Sequence, residues 1–91
     1  MKMTRENIFE LITSHCCEIR PGLKTHTFHP SETLEELGAD SVDRIDILNM
    51  VMESMSLKIA RVKVFGAKNI GELADILYEQ KQSAGNTHRG L

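Results

Sequence analysis

The sequence predicts an all-α fold: a small four-helix bundle with three longer helices, one short helix and a long loop after the first helix. Apolar residues recur at three- and four-residue spacing in three stretches, which is typical of helices with one buried face. No stretch shows the convincing alternation of a half-buried strand. The length of 91 residues suits one domain. Because there are only three Phe, one Tyr and no Trp, the core must be aliphatic.

The first helix is predicted over residues 4–19. Thr4 can cap it, and Glu6 lies in the first turn, where the helix dipole favours an acid. Its mostly apolar stripe is formed by Ile8, Leu11, Ile12, His15 and Ile19. Pro21 and Gly22 end the helix, and residues 21–30 should form an irregular loop that contains both prolines.

A short helical turn is predicted at residues 31–38, capped by Ser31 and stopped by Gly38. The second long helix begins after Asp40, which is a good N-cap, and Asp43 can return a bond to the cap backbone. Its end is expected near residues 54–56. The predicted inner stripe is Val42, Ile45, Leu48, Met52 and Met55, widened by Ile47 and Val51.

Residues 57–65 are ambiguous, since their apolar positions fit an alternating strand or a short helix. A lone strand would have no partner, so we interpret them as a loop followed by a short helix at 60–65. Asn69 caps the last helix, with Glu72 completing a capping box. The chain turns polar near residue 80. A domain over 1–80 and a disordered tail over 81–91 are therefore predicted.

Composition excludes several classes of protein. A net charge of −2 and a pI of about 6.0 argue against a nucleic-acid-binding protein. No apolar run is long enough to span a membrane, and no signal peptide is recognisable, so a cytoplasmic monomer is expected. Cys16 and Cys17 are adjacent and form no disulfide framework. Neither they nor the nearby histidines have the spacing of a metal site, so no metal is expected.

One segment, residues 37–43, indicates chemistry. It places Ser41 at the first position of a helix, just after a turn that ends in glycine. Unpaired N–H groups and the positive dipole end make such a place suitable for a phosphate ester. Ser41 could instead be an ordinary first-turn residue. An autonomous nucleophile is disfavoured, because Gly38 and Asp43 do not fit the G-x-S-x-G pattern.

The same segment resembles the Asp-Ser-Leu attachment motif of acyl carrier proteins, and the resemblance extends over residues 5–79. It implies an acyl-carrier-like bundle that is not an enzyme. It also implies that a phosphopantetheinyl transferase, using coenzyme A and Mg²⁺, esterifies Ser41 with 4′-phosphopantetheine. Asp40 matches the acid of the motif, and Val42 stands where leucine is usual. The bundle itself would present the arm and be recognised by partner enzymes.

Charge divides the chain in a way that general fatty-acid carriers do not show. Residues 40–55 hold four acids and one base, whereas residues 56–71 hold four bases and no acid. Residues 64–75, together with 40–44, resemble the freestanding donor carriers of polyketide β-branching cassettes. That resemblance implies malonyl and then acetyl loading. The implied partners are an acyltransferase, a decarboxylating ketosynthase-like enzyme and an HMG-CoA-synthase-like enzyme. The residues expected to select these partners are Asp43, Arg44, Lys58, Arg61, Lys63, Phe65 and Lys68.

Other interpretations stay open. Within carriers, a general fatty-acid carrier or a peptidyl carrier competes with the donor. Outside carriers, the basic stretch would suit a helical interaction domain with no prosthetic group. A small DNA-binding module is the weakest alternative, because the chain lacks a basic recognition helix and its pI is low.

Overall fold

A computed structural model describes residues 4–57, 63–64 and 66–87, with the side chains of the last helix described through residue 82. Within these residues the chain is helical and contains no strand, which confirms the all-α prediction. The elements are α1 (Arg5–Ile19), a 3-10 helix (Pro21–Thr25), α2 (Ser41–Ser54) and α3 (Ile70–Thr87). The predicted short helix at 60–65 lies mostly outside the described residues, of which Lys63 and Val64 are helical.

Helix α1 is the centre of the bundle and packs against both α2 and α3. It begins where predicted: the Thr4 hydroxyl accepts a bond from the Asn7 backbone N–H, and the Asn7 side chain accepts one from the Thr4 N–H, both at 3.1 Å. Such caps contribute about 1 kcal/mol. The core is aliphatic, as predicted, and its most deeply buried side chains are Ile8, Ile12, Cys16, Ile47, Val51, Ile70 and Leu77.

The predicted inner stripe of α2 was wrong at one position. Val42 is 65% exposed, whereas Leu48, Met52 and Met55 are buried as expected. Each three-residue step along a helix falls about 60° short of a full turn, so two such steps carry Val42 roughly 120° away from Leu48. Helix α2 ends at Ser54, and Ser56 follows in the left-handed region with φ 53°.

The segment before α2 is a hydrogen-bonded turn whose cap is Thr33, not the predicted Ser31. The Thr33 hydroxyl accepts from the Glu36 N–H at 3.0 Å, and the Glu36 carboxylate accepts from the Thr33 N–H at 2.8 Å. Only Thr33 has an acid three residues later, as a capping box requires. Gly38, with φ +92°, ends the turn as predicted.

The long loop docks on the first turn of α3. The Ile70 N–H donates to the Glu32 carbonyl at 2.9 Å, and the Gly71 N–H donates to the Pro30 carbonyl at 2.8 Å. Asn69 caps α3 by accepting from the Glu72 N–H at 2.8 Å, as predicted. The loop therefore satisfies amides that a helix start otherwise leaves unpaired. The Glu72 carboxylate reaches the Lys68 N–H at 3.1 Å instead of the predicted Asn69 backbone.

Helix α3 continues to Thr87, beyond its predicted end near Gln80. No proline interrupts residues 81–87, and the Lys81 ammonium donates to the Met55 carbonyl at 2.6 Å, which ties this part of α3 to the end of α2. The domain boundary at residue 80 stays a prediction, and residues 88–91 of the expected tail lie outside the described part of the chain.

Candidate carrier site at the start of helix α2

Ser41 lies exposed at the first position of α2. The local sequence explains this position. Gly38 ends the preceding turn, and Ala39, only 4% exposed, anchors the chain in the core. Asp40 then caps the helix, since its carboxylate accepts from the Asp43 N–H at 2.9 Å. The serine hydroxyl is thus held at the rim of the bundle by a fixed backbone, as the sequence predicts.

Two arginine side chains form hydrogen bonds at this site. The Arg44 guanidinium donates to the Ser41 hydroxyl oxygen at 3.3 Å. The Asp43 carboxylate, expected to bond the Asp40 backbone, accepts from the guanidinium of Arg20 at 3.3 Å. Arg20 comes from the end of α1, and no sequence motif indicated it. The positive dipole end of α2 adds to these cations, so the site favours a negatively charged group on the serine oxygen.

A cavity of about 530 Å³ opens beside Ser41, between α2, the turn before it and the segment leading into α3. Its apolar lining includes the buried Leu48, Val64 and Leu73, and its charged lining consists of Arg44, Lys68 and the acid Glu35. Lys68 is exposed, and Arg44 is half-buried. An apolar floor with Arg44 beside the serine is a place where the base of a flexible arm could be held.

The structure describes four of the seven residues expected to select partners. Asp43 and Arg44 are half-buried beside Ser41, Lys68 lies across the cavity, and Lys63 is exposed. Val42, which follows Ser41 in α2, is also exposed. Three of the predicted partner residues lie outside the described residues: Lys58, Arg61 and Phe65.

A second serine, Ser54, has neighbours that resemble a catalytic triad. His15 lies with Nε2 at 3.0 Å from the Ser54 hydroxyl and Nδ1 at 2.9 Å from a Glu18 oxygen. The Glu18 oxygen is out of line with the ring N–H, so Nδ1 lacks a well-aligned hydrogen bond. Ser54 ends α2, where the dipole disfavours an oxyanion, and neither Ser54 nor His15 lines the cavity. These contacts tie α1 to α2 and do not build a nucleophile.

Two kinds of site are absent from the described part of the chain. No group of three or more His, Cys, Asp or Glu side chains there is arranged to hold a metal ion. No helix there is long and apolar enough to cross a membrane.

Comparison with known proteins decides the family. The family described as "Phosphopantetheine attachment site" matches residues 20–77, which is more than half of the chain and contains Ser41. The chain belongs to this family of acyl carrier proteins. Its members hold 4′-phosphopantetheine covalently and are acted on by partner enzymes, so this protein is a carrier and not a catalyst.

A curated relative and a solved structure narrow the comparison. The chain is 52% identical over 82 residues to the "Polyketide biosynthesis acyl-carrier-protein AcpK" of Bacillus subtilis (strain 168), covering 90% of this carrier and 100% of the relative. It also matches a chain in the crystal structure of the curacin biosynthetic pathway HMG synthase in complex with its acetyl donor-ACP. That match has a TM-score of 0.81 and 44% identity, and it covers 85% of this carrier and 99% of the matched chain. The matched chain is therefore of carrier size.

The residues present fit the cofactor of the family. The Ser41 hydroxyl is exposed and can receive the group without displacing a core residue. Arg44 supplies a cation at hydrogen-bonding distance from the oxygen that would carry the phosphate. When bound, the arm supplies a terminal thiol that holds acyl groups as thioesters.

Proposed function

We propose that Ser41 is the attachment residue for 4′-phosphopantetheine and that this carrier is the malonyl and acetyl donor for an HMG-CoA-synthase-like enzyme in polyketide β-branching. The observation that carries the attachment is the exposed hydroxyl at the start of α2, bonded by Arg44 and lying inside the segment that matches the family. The donor role is supported by likeness to the carrier crystallised with the curacin HMG synthase.

Different residues of this chain contribute to attachment of the arm and to recognition by partner enzymes. Asp40 fixes the first turn of α2, so that a transferase meets the Ser41 oxygen in one orientation. Val42, 65% exposed beside the serine, offers an apolar contact to any enzyme that approaches the arm. Lys68, on the cavity lining, and Lys63, next to the lining residue Val64, add exposed positive charge. An enzyme with an apolar socket rimmed by carboxylates would complement this surface.

Four enzymes act on the carrier in this scheme. A phosphopantetheinyl transferase attaches the arm, and an acyltransferase loads malonyl. A decarboxylating ketosynthase-like enzyme then converts malonyl to acetyl, and the HMG-CoA-synthase-like enzyme consumes the acetyl group. Lys58, Arg61, Lys63, Phe65 and Lys68 are the residues we expect to contribute most to the choice of partner, with Asp43 and Arg44 beside the serine. The cytoplasmic location and the monomeric state stay predictions.

Attachment is tested by intact mass after incubation with coenzyme A, Mg²⁺ and a broad-specificity transferase. The wild type should gain the mass of one phosphopantetheine group, and Ser41→Ala should gain none. Ser31→Ala is the matched control, because Ser31 is also exposed but lies away from the start of α2. An unmodified wild type would contradict the carrier role and favour the interaction domain without a prosthetic group.

The donor role is tested by transfer from acetyl-loaded carrier to an HMG-CoA-synthase-like enzyme. This carrier should acetylate that enzyme, and a fatty-acid carrier should not. Replacing Lys63 and Lys68 together by Glu should lower kcat/KM by about tenfold or more at low salt, because rim charges act mainly on association. Lys24→Glu, on the 3-10 helix, is the charge-matched control. Equal transfer from both carriers would favour a general fatty-acid or peptidyl carrier.

A further inference from the structure

We infer that Arg44 is a positioning residue for the phosphodiester that joins the arm to the protein, an inference that rests on the proposed attachment at Ser41. Its guanidinium Nη2 already lies 3.3 Å from the serine oxygen in the unmodified chain. Ser41 and Arg44 are three positions apart in α2, so the helix itself places both on one face. Their proximity does not depend on a mobile loop.

The guanidinium has the donors that this role requires. Arginine presents five N–H groups in a planar fork that matches the oxygens of a phosphate. One contact to the bridging serine oxygen leaves other donors to face the two non-bridging oxygens. A half-buried Arg44 has also lost part of its side-chain freedom before the arm is attached, which lowers the cost of fixing it.

The acids beside Ser41 have other partners, so Arg44 is available to bind a phosphate oxygen. Of the two acids nearest Ser41, Asp40 is engaged by the Asp43 N–H at 2.9 Å, and Asp43 is engaged by Arg20 at 3.3 Å. Within the described residues, Arg44 forms no ion pair with a carboxylate. Arg20 thus neutralises the acid beside Arg44, and within the described residues a new negative charge on Ser41 would meet a cation that has no carboxylate partner.

The contact with Arg44 would also determine where the base of the arm lies. Arg44 and Ser41 both line the cavity, so a phosphodiester held by Arg44 would have its base at the cavity edge. An arm anchored at its base samples fewer directions than one hanging freely from an exposed oxygen. Arg44 would therefore act on the presentation of the thioester, in addition to any contact with partner enzymes.

The test is a cycle of melting temperatures for the unmodified and modified forms of wild type and Arg44→Gln. The quantity compared is the change in melting temperature when the arm is attached. If Arg44 holds the phosphodiester, this change should be less favourable in Arg44→Gln than in the wild type by about 2–5 °C. If the role of Arg44 were purely structural, its replacement would lower the melting temperatures of the unmodified and modified proteins equally, and the change on attachment would be the same in both proteins. Arg44→Lys should recover part of the effect, and 1 M salt should reduce it. Lys24→Gln is the charge-matched control and should give none.

A second measurement uses wild-type protein alone, in case Arg44→Gln is modified poorly. The side-chain Nε–Hε resonance of Arg44 should shift when the arm is attached, and that of Arg5, held at 2.7 Å by Asp75 of α3 and absent from the cavity lining, should not. An Arg44 resonance that stays in place would overturn the inference while the mass gain still supports attachment. A protein with no mass gain would overturn attachment itself, so the two failures are distinguishable.

Discussion

Replacing Gly71 by alanine should destabilise the carrier, although alanine is the better helix former. A β-carbon at this position would lie 2.9 Å from the Pro30 β-carbon and 3.1 Å from the Pro30 carbonyl oxygen. The first distance is shorter than real β-carbon contacts, the second is tighter than most, and the second neighbour is backbone, which cannot rotate away. The loop would have to withdraw from the first turn of α3.

The magnitude follows from what withdrawal breaks. The Gly71 N–H to Pro30 carbonyl bond, 2.8 Å in the wild type, contributes about 0.5–1.5 kcal/mol net. Crowding at a tight contact costs a further ~1–3 kcal/mol. The intrinsic gain from glycine to alanine is at most about 1 kcal/mol. Together these terms give a net loss of about 0.5–3.5 kcal/mol in the free energy of unfolding, so the melting temperature should fall by about 2 °C or more.

Urea unfolding of wild type, Gly71→Ala and Gly22→Ala measures this difference. Gly22 is the matched control, because a β-carbon there meets nothing within 4 Å. Gly22→Ala should leave the unfolding midpoint unchanged or raise it slightly. If Gly71→Ala proved as stable as Gly22→Ala, the close approach of Pro30 to α3 would be refuted as a determinant of stability.

Three other predictions concern stability and reactivity. Ser56→Gly should raise the free energy of unfolding by about 1 kcal/mol, because Ser56 has φ 53° after α2; an unchanged urea midpoint would contradict the assigned backbone. The pKa of Glu32 is lowered from its ordinary 4.5, first by the His29 backbone N–H and then by the His26 side chain. The contribution of Glu32 to the free energy of unfolding should therefore be present above pH 4.5 and be lost as the pH falls through the lowered pKa. Glu32→Gln should flatten that part of the stability profile, and identical profiles would contradict the prediction. Burial raises the pKa of the Cys16 thiol to about 12, so iodoacetamide at pH 8 should label the neighbouring cysteine first by peptide mapping; equal labelling of both would contradict the burial.

Most of the fold could be predicted because its signals are local. Thr4, Asp40 and Asn69 act as caps in the structure, and each is recognisable from its residue type and the helix that follows. The errors came where two local solutions compete. Ser31 and Thr33 can both cap a turn, and the acid three residues after Thr33 decides between them. Val42 was misplaced because spacing by threes resembles a stripe but rotates around the helix.

The position of Ser41 could be predicted, but its electrostatic surroundings could not. Arg44 was selected from the sequence as a partner residue, and its bond to the Ser41 oxygen follows from helical spacing. Arg20 was missed, since it reaches Asp43 from 23 positions earlier in the chain and only the packing of α1 against α2 brings them together. The cavity beside Ser41 is formed by three separate segments, and no pattern within one segment indicates its volume.

Gly38 connects the end of α1 to the chemistry at Ser41. The space where a β-carbon would stand at Gly38 lies 3.3 Å from Nε of Arg20, the residue that neutralises Asp43. A side chain at position 38 would thus strain a turn with φ +92° and also press on the guanidinium that pairs with Asp43 beside Ser41. The charge balance beside Ser41 therefore depends on the absence of a β-carbon at position 38.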